Sequence, residues 1–408
     1  MNVLGIIAEY NPFHKGHSYH LKESVKKTNA GFTVCVMSGN FMQRGEPAMV
    51  NKWTRARMAV ENGVDLVLEL PFTYACNNAE YFAKGGIDIL NRLGCITHLS
   101  FGSESGDLEL LSHTASLLAN ESRELKESIK EFTDRGFSFP KARYEAVRKC
   151  AGEEAASVLN SANNILAVEY LKQLHRTGSR IEPITVIRYG TGYHDIDPFQ
   201  DIASASAIRR KINDANDFEC IRDFIPKETL QILKEIDKGV NVIFNDFFQM
   251  LVYQVLTSSA EYLGTVLSAT EGLENKVKKA VSDAKNMETL VKAVKSKRYT
   301  ETRIQRLLSH ILIGLDKDSF QLILKERINY GRVLAFNKKG AELLKQIKLT
   351  GCNSIPVLTN INRELTAGAK EWNLLKYDIL ASDIYNLVAD GEIYKNSDYV
   401  VQPFKDFE

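Results

Sequence analysis

The stretch "VLGIIAEYNPFHKGH", Val3 to His17, sets how the rest of the chain is read. It begins as a short apolar run with the length of a buried strand. It then carries His14, Gly16 and His17 in the pattern H-x-G-H, where a helix is expected to open. A strand that turns into a helix through a polar loop is the first unit of an open α/β sheet, and that turn lines the ligand crevice. A helix N-terminus offers free N–H groups and partial positive charge, which favour phosphate oxygens. Gly16 lets the backbone approach closely. Two imidazoles three residues apart can face one triphosphate and stabilise charge that grows during displacement.

Four more apolar runs read as buried strands: "FTVCVMS" (32–38), "DLVLEL" (65–70), "THLSFG" (97–102) and "ITVIR" (184–188). Helical spacing fills 16–28, 53–62, 79–92, several segments from 107 to 151, and 164–175. This alternation predicts an α/β fold, a doubly wound parallel sheet with helices on both faces. Beyond about residue 215 strands largely disappear, and "FNDFFQMLVYQVL", "ENKVKKAVSDAKNMETLVKAVKSK" and "YTETRIQRLLSHILIGL" have apolar residues at helical spacing. The expected division is an α/β domain over 1–215 and a mainly α-helical domain over 216–408, since 408 residues exceed the usual single core.

Composition excludes several classes. Lys+Arg 52 against Asp+Glu 51 leaves +1, so net charge announces no nucleic-acid partner, although a local patch can still exist. No run of about 18 apolar residues suggests a membrane span. "MNVLGII" lacks the basic start of a signal peptide and is expected to be the first strand. Six scattered cysteines without a CxxC pair fit reduced thiols in cytoplasm.

The three histidines His14, His17 and His20 also admit a zinc reading or a merely structural one. Against zinc, the helical HExxH spacing is absent and no nearby Cys closes the set, though a remote carboxylate could. Far downstream lies "SASAIRR", Ser204 to Arg210. Ser204 is expected to cap a helix, with Ser206 and Arg209 within reach of phosphates one turn in. A capped surface helix with an exposed Arg is the alternative.

With H-x-G-H after the first strand and S-x-S-x-I-R after the last, the chain resembles the HxGH nucleotidyltransferase superfamily. Within it, "GIIAEYNPFHKGH", "SGNFMQRGEPA" and "KRYTETRIQR" are similar to the bacterial tRNA(Met) cytidine acetate ligase family, over essentially the whole chain. The resemblance implies a Rossmann-like catalytic domain, ATP with Mg²⁺, and acetate activated as an acetyl-adenylate. It also implies transfer of the acetyl group to N4 of the wobble cytidine of elongator tRNA(Met), giving N4-acetylcytidine. By position, it implies that Ile7, Ala8, Glu9, Tyr10, Asn11, Pro12, Phe13, His14, Lys15, Gly16, His17, Ser18, Tyr19 and His20 wrap the ATP, with His14, His17 and Arg209 catalytic. Gly102, Asn163, Arg188, Tyr189, Ser204 and Ser206 are then expected to complete the nucleotide site, with no metal ligand from the protein. Unaided, Gly102 also reads as a turn glycine and Asn163 as an ordinary N-cap. Arg188, at a strand's carboxyl end, faces the ligand side.

Two basic regions remain. The loop after the second strand leads to Arg44, Lys52, Arg55 and Arg57, which can cover phosphates or touch RNA, or can be a solvated loop and helix face. Ser38 and Asn40 are candidates of the same kind. Lys276–Arg306 holds ten basic residues against three acidic ones. Such an excess can track an RNA backbone or be a plain lysine-rich face, with Lys276, Lys279, Arg298 and Arg303 the named tRNA candidates. Two other readings stay open: a small-molecule adenylyltransferase of the same superfamily, and a catalytically silent RNA-binding protein.

Overall fold

The computed structural model describes residues 1–188, 203–215, 217–236, 241–361, 369–389, 391 and 397–407. Strands β1 (Val3–Ala8), β2 (Phe32–Ser38), β3 (Leu66–Leu70), β4 (His98–Ser103) and β5 (Glu182–Ile187) are those read from the apolar runs. They pair in parallel in the order β5-β4-β1-β2-β3. The chain therefore winds from β1 to one side, then returns to lay β4 against β1's other edge. That reversal opens a crevice at the carboxyl ends of β1 and β4.

The sheet does not end at β3. The second half of the chain returns three short strands, β6 (Gly331–Asn337), β7 (Val357–Leu358) and β8 (Phe404–Asp406). β6 lies antiparallel to β3, and β7 and β8 run parallel to β6. The helical reading of this half passed over them because "GRVLAFN" is brief and leads directly into the helix Lys338–Thr350.

Both faces of the sheet are covered. Along β2, Val34 and Val36 face one core, and Cys35 and Met37 face the other. The first core continues into the second-half helices through Phe247, Leu251, Leu307 and Ile311. Each such side chain, fully buried, contributes roughly 1.5–3 kcal/mol. Local signals set the ends: Asn78 caps the helix Ala79–Leu93 by accepting from Tyr81 N–H at 3.0 Å, and Gly94 closes it in the left-handed conformation. Among the described residues no helix is long and apolar enough to cross a membrane.

Candidate active site

The helix Lys15–Thr28 starts where β1 ends, and His14 is its N-cap. The backbone N–H of His14 donates to Nδ1 of His17 at 3.2 Å. An N–H can only donate, so Nδ1 of His17 accepts, and the neutral ring keeps its proton on Nε2. The two rings stack with centroids 3.6 Å apart and planes 23° apart. Tyr10 and Phe13 hold the far side of His17, at 4.8 and 5.5 Å between centroids. His14 is 2% exposed, and neither of its ring nitrogens has a partner among the described residues.

These imidazoles are neutral at physiological pH. Burial pushes His14 down to about 3, with Arg188 and Arg209 adding to it. Burial also holds His17 well below its usual value, followed by the charges of His14, Arg188 and His20. His20 is lowered to about 4, by burial and then Arg188. The three rings do not converge on a common point. His20 turns toward Ser100 Oγ at 3.1 Å, and among the described residues no three His, Cys, Asp or Glu are arranged to hold a metal ion.

The helix N-terminus differs from expectation in one respect. Its first amides were read as free for phosphate. Instead, Lys15 N–H donates to Phe224 carbonyl at 3.0 Å, and His17 N–H donates to His14 carbonyl at 2.8 Å. Imidazole edges, more than backbone amides, face the open space.

That space is a cavity of about 870 Å³. It collects Ile7, Ala8, Glu9, Tyr10, Asn11, His14, Gly16, His17, Tyr19 and His20 from the first segment. Gly102, Asn163, Arg188, Ser204, Ser206 and Arg209 join them from four other parts of the chain. Pro12, Phe13, Lys15 and Ser18 are not on its wall, and Phe13 is wholly buried beneath it. Tyr189 lies outside the described residues.

Ser204 caps the helix Ala205–Ala215 by accepting from Ala207 N–H at 3.2 Å. One turn on, Arg209 donates to the carbonyl of Asn11 at 2.8 Å, which ties this helix to the histidine loop. At β4's end the stem of Arg188 lies where a Cβ on Gly102 would sit, only 2.8 Å from Arg188 Cγ. Gly102 is therefore required by a close approach and not by a turn.

Two walls meet in ways the sequence did not announce. Glu104, just past β4, accepts from the side chain of Asn163 at 2.7 Å. The other wall joins the two halves of the chain. The tip of the loop after β2 rests on the helix Glu301–Ile313: Ser309 Oγ donates to Gly45 carbonyl, Arg306 to Gln43 carbonyl, and Gln305 to Glu46. Gly45 has φ +99°, and a Cβ there would sit 2.4 Å from Arg306 N. Arg44, Glu46, Thr300, Thr302 and Arg306 all line the cavity.

The remaining basic candidates disperse. Lys52 and Arg55, read as loop or surface cations, are both wholly buried. Lys52 binds Glu69 and Asp398, and Arg55 donates to the carbonyls of Glu9, Ser38, Gly39 and Val50. Arg57 pairs with Glu61 and Glu235. Ser38 and Asn40 anchor the loop, with Asn40 Oδ1 accepting from Lys52 N–H at 2.7 Å. In the basic segment, Lys276 donates to the carbonyls of Val294 and Lys295, Arg298 pairs with Glu271, and Arg303 donates to Thr270. Lys279 is exposed, and none of these four lines the cavity.

Comparison with known proteins bears on this arrangement. The model of the HIGH nucleotidyl transferase family matches residues 1–399. The chain is 41% identical to the tRNA(Met) cytidine acetate ligase of Clostridium perfringens (strain ATCC 13124), over 99% of both chains. It is 44% identical to the protein of that name from Caldicellulosiruptor saccharolyticus, over 95% of this chain and 94% of that one. The crystal structure of Thermotoga maritima TmcAL bound with alpha-thio ATP matches with a TM-score of 0.92 at 30% identity, covering 100% of each chain.

Proposed function

The chain belongs to the HIGH nucleotidyl transferase family, and from that premise we propose that it acetylates N4 of the wobble cytidine of elongator tRNA(Met), using ATP and acetate. The observation that carries this reading is the pair of neutral, stacked imidazoles on the cavity wall, with His14 buried and without a partner among the described residues.

An oxygen of the acetate carboxylate attacks the α-phosphorus of ATP. The bond to the bridging oxygen breaks, pyrophosphate leaves, and acetyl-adenylate remains. His17 donates from Nε2, and His14 from one ring nitrogen, to phosphate oxygens whose charge rises in the transition state. Such preorganised donors in a water-poor site are worth about 10²–10³ in rate each. Arg209, held by Asn11, and Arg188 supply the positive charge that the neutral rings do not. Mg²⁺ fits here as a companion of the nucleotide, since it is usually held by substrate phosphates with one or two carboxylates. Glu9 and Glu46, both on the cavity wall, would be the carboxylates to hold it, and the ion would neutralise the leaving pyrophosphate.

The N4 amine then attacks the acetyl carbonyl carbon. The bond from that carbon to the phosphate oxygen breaks, AMP leaves, and the amine gives up one proton. Its lone pair is delocalised into the ring, so it needs an activated acyl donor held close. The wall of Arg44, Thr300, Thr302 and Arg306, where the basic segment ends, gives the anticodon a cationic approach.

The test supplies ATP, labelled acetate and bulk bacterial tRNA. Label recovered as N4-acetylcytidine, dependent on ATP and indifferent to acetyl-CoA, is the expected result. Pyrophosphate released with a mononucleotide and unlabelled RNA would instead make the protein a small-molecule adenylyltransferase. RNA binding without turnover would leave a silent RNA-binding protein.

A further inference from the structure

Glu104 stands at the start of a chain of donors and acceptors that ends at the cavity. Its carboxylate sits over the first turn of the helix Ala162–Thr177. Oε1 accepts from Asn163 N–H at 3.3 Å and Asn163 Nδ2 at 2.7 Å, and Oε2 accepts from Asn164 N–H at 2.8 Å. Asn164 answers with Oδ1, which accepts from the backbone N–H of Glu104 at 2.9 Å and of Ser105 at 3.2 Å. The clamp is reciprocal, so the loop after β4 and the helix cannot shift independently.

The amide of Asn163 is thereby committed at its nitrogen end. Its other end, Oδ1, accepts from Nη1 of Arg188 at 2.9 Å. A carboxylate can only accept and a guanidinium can only donate, so one amide orientation alone serves both neighbours. The stem of Arg188 is packed against Gly102, with no room there for even a methyl group. Arg188 itself forms part of the cavity wall, and a guanidinium has further N–H donors beyond the one given to Asn163.

We propose that Glu104 is a positioning residue for the nucleotide: through Asn163 it fixes the guanidinium fork of Arg188 toward bound ATP. This rests on the ATP reading above. Glu104 performs no chemistry of its own. It sets which end of an amide meets an arginine.

The donor and acceptor logic makes a rescue experiment possible in the full-length protein, read by acetate-dependent ATP–pyrophosphate exchange and by calorimetric ATP binding. Glu104→Ala frees the amide to turn its nitrogen to Arg188. The expected result is a KM for ATP raised about tenfold, with calorimetric ATP binding weakened to match, the scale of one hydrogen bond to a charged group. Asn163→Asp alone sets two carboxylates against each other and weakens ATP binding by at least as much. Adding Glu104→Gln to Asn163→Asp restores the series, because the Gln amide donates to Asp and Asp still accepts from Arg188. The double variant should return to within about threefold of wild type.

A helix cap alone would move the melting temperature and show no such rescue. An unchanged KM in Glu104→Ala, or a double variant no better than Asn163→Asp, overturns the proposal. Wild-type protein that fails to bind ATP overturns the ATP reading and this inference together. Wild type that binds ATP, alongside variants that bind it equally well, overturns this inference alone.

Discussion

Two buried polar residues in the α/β half, His14 and Lys52, meet opposite circumstances. Both ring nitrogens of His14 go without a partner among the described residues. The ammonium of Lys52 meets Glu69 Oε1 at 2.7 Å, Glu69 Oε2 at 2.9 Å and Asp398 Oδ2 at 2.9 Å. Arg332 reaches the same Asp398 oxygen at 2.8 Å. A buried polar group left unpaired costs about 1–3 kcal/mol, so a fold keeps one where something else completes it. Filled bonding capacity marks a structural joint, here between the helix Lys52–Glu61 and a segment near the end of the described chain. At His14, on the wall of the cavity, unfilled capacity leaves room for a ligand atom.

The largest effect expected from this difference is at the joint. Lys52→Met leaves Glu69 and Asp398 sharing one buried cation fewer, and unfolding in urea should show a loss of about 3–5 kcal/mol. A variant as stable as wild type would erase the distinction drawn here. Next comes the unfilled site. His14→Ala or His17→Ala should slow acetyl-adenylate formation by about 10²–10³, while ATP binding and stability change far less. Formation at the wild-type rate in either variant would remove the phosphate role.

Acidification separates the regions more gently. His14 at about 3, His20 at about 4 and His310 at about 4 all lie below the usual histidine value of 6.5, and burial is the first cause in each. The unfolded chain takes up protons there before the folded one does. Their contribution to stability is therefore present above pH 6.5 and lost as the pH falls toward 4. Asp378, pushed up to about 7 by burial and by Glu69, works in the opposite sense as a single group. A melting temperature lower at pH 5 than at pH 7 by several degrees is the expected balance, and a rise would refute it. The smallest effect is at exposed Lys279. Replacement by Ala should leave stability within about 0.5 kcal/mol and lower the salt dependence of tRNA binding by about one counterion.

The parallel half of the fold was open to reading because its strands are short apolar runs bounded by helical spacing. β2 was expected over 32–38 and is found at Phe32–Ser38. β6 was missed because seven residues without flanking turn signals carry no period of their own. Within the site, His14 and His17 stood out through residue type and spacing, whereas Arg209 gained its place through the family resemblance that the two motifs carry together. Lys52 and Arg55 misled for the same reason, since a cation in a loop sequence does not reveal whether a carboxylate 17 or 346 residues away will reach it. Glu104 gave no signal because its partner Asn163 is distant in sequence, and Arg306 was legible only as one of ten basic residues, its contact with Gln43 being made by the fold.

Gly45 docked against Arg306 also has a meaning for the order of synthesis. Both histidines, Glu9 and Arg209 are translated before the helix that seats their loop. Arg306 follows Arg209 by roughly a hundred residues, about 5–20 s on a ribosome. During that interval a nascent chain carries both histidines and Arg209 but lacks one wall of the cavity they share. The cavity is therefore a late product of synthesis, complete only once the helix Glu301–Ile313 has been made and has seated the loop.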